Sequence, residues 1–260
     1  MMWKFLNTGF QTGSFNMELD KHLAVQFHNL SDTPILRVYG WQPFAVSIGY
    51  NQSMEDFDLQ SISSAHYEIV RRPTGGKAIF HAHELTYSIV GPIAIMSPRA
   101  WYQFIHERLL HGLEYLGVHA DLSESDPNFR ELYRDPTSIP CFSSSAKSEI
   151  QWNGRKLVGS AQRRFGNVIL QHGSILLGPQ HRQITDFLNT QTREDQDSIT
   201  NFLREHTIDV ETILGRPVSF DETAEAVRRG FHEHSDSSVK DITIDDVNFS
   251  STIFSHEGAL

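Results

Sequence analysis

The sequence predicts an α+β fold: mixed, mostly antiparallel sheets with flanking helices. Three observations point there. Short strand-like runs are separated by Gly- and Pro-bearing turns, one Asn-Gly pair sits between two such runs, and helical periodicity is confined to the start, the middle and the last third of the chain. Nothing resembles a regular alternation of strand and helix.

The first predicted element is a helix near Ser14 to Asn29, where Phe15, Leu19, Leu23 and Phe27 recur every four residues and Thr12 or Ser14 can cap. Two strand-like runs follow, Ile35 to Tyr39 and Ala45 to Gly49, with Gly40-Trp41-Gln42-Pro43 read as the turn between them. A third run, Tyr67 to Arg72, leads into Pro73-Thr74-Gly75-Gly76, and a fourth extends from Ala78 to Val90. Pro98 to Leu116 reads as a helix with Trp101, Phe104, Ile105, Leu109 and Leu113 on one face, Pro98 in its first turn and Gly117 at its end.

Asp121 to Ser145 is polar and carries three prolines, so an extended loop is expected. Asn153-Gly154 between Glu149 to Trp152 and Arg155 to Val158 signals a tight hairpin, because both turn residues take positive φ. A strand is expected over Val168 to Leu177, helices at Gln183 to Leu188, Ile199 to Glu205 and Asp221 to His234, and a short strand between Asp241 and Val247.

The chain has 260 residues, 39 % of them hydrophobic and 21 % charged, an ordinary globular balance with ample length for a sizeable core. No apolar run reaches the roughly 18 residues a membrane helix needs. The first residues, Met1-Met2-Trp3-Lys4-Phe5, lack the pattern of a secretory signal, so a cytoplasmic protein is expected. A formal net charge of −10 argues against duplex nucleic acid as the main partner.

Three groups of residues could carry chemistry. In Arg71-Arg72-Pro73-Thr74-Gly75-Gly76-Lys77-Ala78, the absent Cβ atoms let backbone N–H groups approach a ligand between basic neighbours; a plain tight turn reads equally well. In Gly154-Arg155-Lys156-Leu157-Val158-Gly159-Ser160-Ala161 and Gln171-His172-Gly173-Ser174, Lys156 alternates with Leu157, and the small residues allow something to pack closely. There a solvated lysine and a structural histidine are the bland alternatives. The single cysteine, Cys141, excludes an intramolecular disulfide; its Pro- and Ser-rich setting suits a reactive thiol as well as a buried hydrophobe. A free thiol has a pKa of about 8.5, so a nucleophilic Cys141 needs a nearby cation, for which Lys156 is the candidate. His81 and His83, two apart on an expected strand, would share a face, a weak basis for a metal site, and none is expected.

Taken together, these segments resemble the lipoate/biotin protein ligase and octanoyltransferase superfamily. The likeness covers roughly residues 3 to 180. It runs through Phe15-Asn16-Met17 with Asp20, Trp41-Gln42-Pro43, Ser47-Ile48-Gly49 with Gln52, Arg71 to Ala78 with His81, Glu84 to Ser88, Cys141-Phe142, Gly154 to Gln162 and Gln171 to Leu176. Its details look most like the cysteine-dependent octanoyltransferases. The resemblance implies the catalytic-domain fold of that superfamily as a single domain over residues 1–260. It implies Cys141 and Lys156 as catalytic residues, and Arg72, Gly75, Gly76, Ala78, His81, Gly159, Ser160, His172 and Gly173 around the substrate. It also implies octanoyl-acyl carrier protein as donor, a lipoyl-domain protein such as the glycine cleavage H protein as acceptor, no cofactor, and a monomer. The alternative within the superfamily is a lipoate-protein ligase using ATP and Mg. Such ligases commonly carry an extra C-terminal domain, for which 260 residues leave little room. The Asp126 to Ser138 stretch departs from any pattern of the family.

Overall fold

The chain opens with a strand rather than a helix, in a computed structural model that describes residues 1–123, 149–189, 192–232 and 238–249. β1 (Met2–Gln11) lies in a six-stranded sheet with β2 (Ile35–Trp41), β6 (Glu84–Pro92), β10 (Val158–Phe165), β11 (Val168–Leu176) and β12 (Ser238–Asp241), in the order β10-β11-β6-β2-β1-β12. β1 pairs in parallel with β2 and β12, and the other pairings are antiparallel. A small sheet holds β4 (Glu68–Arg71), β3 (Ala45–Ile48) and β5 (Ile79–His81); another holds β7 (Asp121–Leu122), β8 (Ile150–Trp152) and β9 (Arg155–Lys156).

Side-chain alternation sorts β2 between two layers. Leu36 and Val38 face one core, where α4 (Pro98–Tyr115) and α7 (Phe220–His232) contribute Trp101, Ile105, Leu109, Val227 and Phe231. Ile35 faces the other, with Leu19 and Leu23 of α1 (Gly13–Val25). Arg37 and Tyr39 also point toward α1, and there the core turns polar. Thr12 caps α1 by accepting from the Phe15 N–H at 3.2 Å. A short α2 (Phe27–Leu30) completes the first expected helix in two pieces.

Several expected elements differ. The runs at Ile35 and Ala45 do not form a hairpin; they enter different sheets, and Gly40 and Trp41 belong to β2. The run from Ala78 to Val90 is two strands, because the chain bends at Ala82-His83 and crosses from the small sheet to the large one. His81 and His83 therefore diverge: His81 is buried against Ser47, whereas His83 is 3.7 Å from Glu211. The expected strand after Asp241 lies earlier, in β12, and Asp245–Val247 is a 3₁₀ turn. Pro179–Phe187 is a 3₁₀ helix. Beyond it come α5 (Arg193–His206) and α6 (Val210–Leu214); α3 (Leu59–Ser64) precedes β4. The Asn153-Gly154 hairpin forms as read, with φ of 47° and 75°. Most of the expected loop from Asp121 to Ser145, including Cys141 and Phe142, lies outside the described residues. Among the described residues no helix is long and apolar enough to cross a membrane.

Candidate active site

Register places the distant motifs side by side. Gly159, Ser160 and Ala161 of β10 pair with Ser174, Gly173 and His172 of β11. Those in turn pair with Thr86, Tyr87 and Ser88 of β6, and Tyr87 and Ser88 pair with Val38 and Arg37 of β2. Close approach of the strands requires Gly173, where a Cβ would collide with the Gly159 carbonyl and come 2.8 Å from the Tyr87 ring.

Between this region, the small sheet and α1 lies a cavity holding roughly 360 Å³ of empty space, its open mouth included. Met17, Tyr39, Trp41 and Ile79 form its apolar wall, and Arg72 and Ser160 are among its polar lining. Of the residues singled out from the sequence, Arg72, His81, Gly159, Ser160, His172 and Gly173 line it.

Two buried hydroxyl–imidazole–carboxylate relays flank the cavity. In one, Asp20 accepts from His172 Nδ1 at 3.0 Å, Arg37 at 2.7 Å, Ser88 at 2.7 Å and the Tyr39 hydroxyl at 2.9 Å. With Nδ1–H donating to the carboxylate, Nε2 of the neutral ring is free to accept from Thr74 Oγ1 at 2.6 Å. Burial pushes Asp20 up, but the Arg37 charge and the His172 and Ser88 hydrogen bonds outweigh it, and the carboxyl is held below its ordinary range. Burial pushes His172 down, as does the Arg72 charge, and the opposing pull of Asp20 does not overcome them. The pair therefore rests as carboxylate and neutral imidazole.

In the other relay, His81 Nδ1 lies 2.7 Å from Glu84 Oε1 and Nε2 lies 2.7 Å from Ser47 Oγ. Glu84 also accepts from Thr86 and Ser174, and Thr86 accepts from the Trp41 indole at 2.8 Å. The Trp41 ring stacks on His81 with centroids 3.9 Å apart. Apolar wall and polar network are thus one construction.

Arg72 ties the double-glycine loop to β3. Its guanidinium donates to the Ser47 carbonyl at 3.0 Å, the Gly75 carbonyl at 3.0 and 3.1 Å and the Lys77 carbonyl at 2.5 Å. Gly49 makes room for the loop, since a Cβ there would overlap the Gly76 carbonyl, and Gly76 itself takes a φ of +87°. Gly75 and Gly76 do not themselves line the cavity; their loop is tied to its wall through Arg72. Ala78 instead lies in the apolar core under the small sheet.

Lys156 is buried rather than solvated, with Nζ 2.8 Å from Glu149, and it is not part of the cavity wall. Its backbone carbonyl accepts from the Ile208 N–H at 3.0 Å, which pins β9 against the segment after α5.

Residues that the sequence motifs contain without a site role carry much of this network, namely Asn16, Ser47, Thr74, Glu84 and Ser174, together with Arg37, which the sequence places only in a strand. One signal was available. Asn16 and Asp20 fall on the same helical face as Leu19 and Leu23, and polar groups on a buried face require buried partners.

With this geometry in view, comparison with known proteins is decisive. The model of the lipoyl protein ligase A/B catalytic domain matches residues 12–232. The chain belongs to this family. Among curated relatives of the lipoyl protein ligase A/B family, the octanoyltransferase LipM of Kyrpidia tusciae is 37 % identical over 89 % of this chain and 86 % of the relative. That of Symbiobacterium thermophilum is 39 % identical over 88 % of this chain and 85 % of the relative. The bipartite lipoate protein ligase of Thermoplasma acidophilum superimposes with a TM-score of 0.75 at 24 % identity, covering 95 % of this chain and 89 % of that one. The family's fold is therefore the fold described above.

Proposed function

We propose that this chain is an octanoyltransferase of lipoate biosynthesis, moving an octanoyl group from acyl carrier protein through a thioester on Cys141 to the lysine of a lipoyl-domain protein. The cavity carries the reading: an apolar wall of Met17, Tyr39, Trp41 and Ile79 suits an alkyl chain, and the polar lining suits a reacting carbonyl. Relatives named as octanoyltransferases over most of the chain support the acyl group and the transfer. Burying about 0.8 kcal/mol per CH₂ gives eight carbons useful affinity.

The chemistry is an exchange followed by an aminolysis. Cys141 thiolate attacks the donor carbonyl, the carrier thiol leaves, and the acyl group rests on sulfur. Thioester exchange is nearly isoenergetic, so no nucleotide is needed. The acceptor amine then attacks the new thioester, and amide formation draws the step forward. Lys156, buried and held on Glu149, is the cation assigned to favour thiolate over thiol on Cys141.

The test combines octanoyl-acyl carrier protein with a lipoyl domain, without ATP, and follows acceptor mass. A gain of one octanoyl group per domain is expected. Modification only from free octanoate, ATP and Mg, with pyrophosphate release, would instead establish ligase chemistry.

A further inference from the structure

A third hydroxyl–imidazole contact opens on the cavity. α4 carries the fully buried His106 to β10, where Nε2 stands 2.8 Å from Ser160 Oγ. The Tyr87 hydroxyl lies 2.7 Å from the same oxygen. Tyr87 is itself approached by Gln171 Nε2 at 3.2 Å, and Gln171 Oε1 accepts from Gln162 at 3.0 Å.

One consistent assignment of the protons runs toward His106. Gln171 donates to Tyr87, so the one phenolic proton is free to go on to Ser160. In this assignment Ser160 accepts from Tyr87 and points its own proton at Nε2 of the His106 tautomer that is protonated on Nδ1. Burial raises Tyr87 to about 12, with the Glu149 charge adding to it, so the phenol stays a donor at neutral pH. The Glu149 effect also places this hub within electrostatic reach of the Lys156–Glu149 pair.

We propose that Ser160 and His106 form the proton relay that deprotonates the attacking amine during acyl transfer. This rests on the octanoyl-transfer reading and assigns a step which that reading leaves without an acceptor. A lysine amine, with a pKa of about 10.4, enters as ammonium and must lose protons to yield an amide. Before it attacks, the ammonium passes a proton to Ser160 Oγ while the Ser160 proton passes to His106 Nε2, and the freed lone pair then bonds to the thioester carbon. The C–S bond then breaks with its electron pair on sulfur. The leaving thiolate takes the second N–H proton of the adduct, the imidazolium releases its proton to solvent through Ser160, and the step closes as amide, thiol and one proton. His81 and His172 suit this role less well. Arg72 donates to the hydroxyl that His81 holds and its charge opposes protonation of His172, and the Thr74 hydroxyl is not part of the cavity lining.

The experiment separates the two half-reactions. Full-length enzyme is loaded from octanoyl-acyl carrier protein, desalted, and discharged onto a lipoyl domain, with enzyme and acceptor masses followed by quenched flow. For His106→Gln the ratio of discharge rate to loading rate is expected to fall about 100-fold or more, the usual contribution of a general base. Discharge onto hydroxylamine, a free base at neutral pH, should fall far less, and imidazole should restore lysine discharge to His106→Ala. Equal slowing of both half-reactions, equal slowing toward both amines, or no imidazole rescue would overturn the relay. If wild-type enzyme takes up no octanoyl group, the covalent reading itself fails, and the relay with it.

Discussion

Thr74 Oγ1 and His172 Nε2, 98 positions apart in the chain, meet at 2.6 Å, and His172 hands the contact on to Asp20 at 3.0 Å. A side-chain relay thus fastens the loop bearing Gly75 and Gly76 to β11 and α1. Replacing Thr74 by valine keeps the shape and removes the donor, leaving a buried imidazole lone pair unsatisfied. The expected cost is about 1–3 kcal/mol in urea denaturation. Stability equal to wild type would show that the loop is held by other means.

Arg72 contacts Ser47, Gly75 and Lys77 at once, a fork that a lysine ammonium cannot reproduce. Arg72→Lys is expected to fold, because the charge remains, yet to position the loop poorly. A fall in kcat/KM of about 100-fold is expected from misplacement of this kind. Wild-type kinetics would mean that the fork is dispensable.

Burial pushes His181 down to about 3, with the Arg182 charge adding to it, and His172 is also held below its ordinary value. Unfolded, both return to about 6.5 and bind protons that the native state refuses. Their contribution to stability is therefore complete above that pH and is lost as pH falls below it. His181 alone gives a slope near 1.4 kcal/mol per pH unit between about 6 and 4. Asp20, held below the usual aspartate range, adds its own loss at lower pH. Urea titrations from pH 7 to pH 5 should show the decline, flattened in His181→Leu; constant stability over that range would contradict the assignment.

Met17 stands on the apolar wall. Met17→Trp should fill the space used by the far end of an alkyl chain, shifting preference from octanoyl toward shorter donors. At about 0.8 kcal/mol per CH₂, losing the last two methylenes weakens octanoyl selectivity roughly 15-fold. Competition between octanoyl and butyryl donors measures this. An unchanged ratio would place the acyl chain elsewhere.

Much of this was legible in the sequence, and the gaps have physical causes. The α4 periodicity, the Asn153-Gly154 hairpin and β11 each rest on local chemistry, so local pattern found them. β1 escaped because Trp3 and Phe5 face one core and Leu6 the other, which erases clean alternation, and its pairing partners β2 and β12 are distant or late in the chain. The bend at Ala82-His83 carries no Gly or Pro to mark it within the run from Ala78 to Val90. Six residues named from the sequence do line the cavity. The carboxylates that orient them were harder to see, since Asp20 reaches His172 across 152 positions. For Lys156 the sequence leaves a solvated side chain as the alternative to a catalytic one, and tertiary packing, which no local pattern shows, buries it against Glu149.

Intact-mass spectrometry of the enzyme after brief mixing with octanoyl-acyl carrier protein tests the central claim most directly. One octanoyl adduct on wild type, mapped to Cys141 and absent from Cys141→Ala, is the predicted result. An unmodified enzyme that still octanoylates its acceptor, or a Cys141→Ala variant with full activity, would contradict the covalent mechanism.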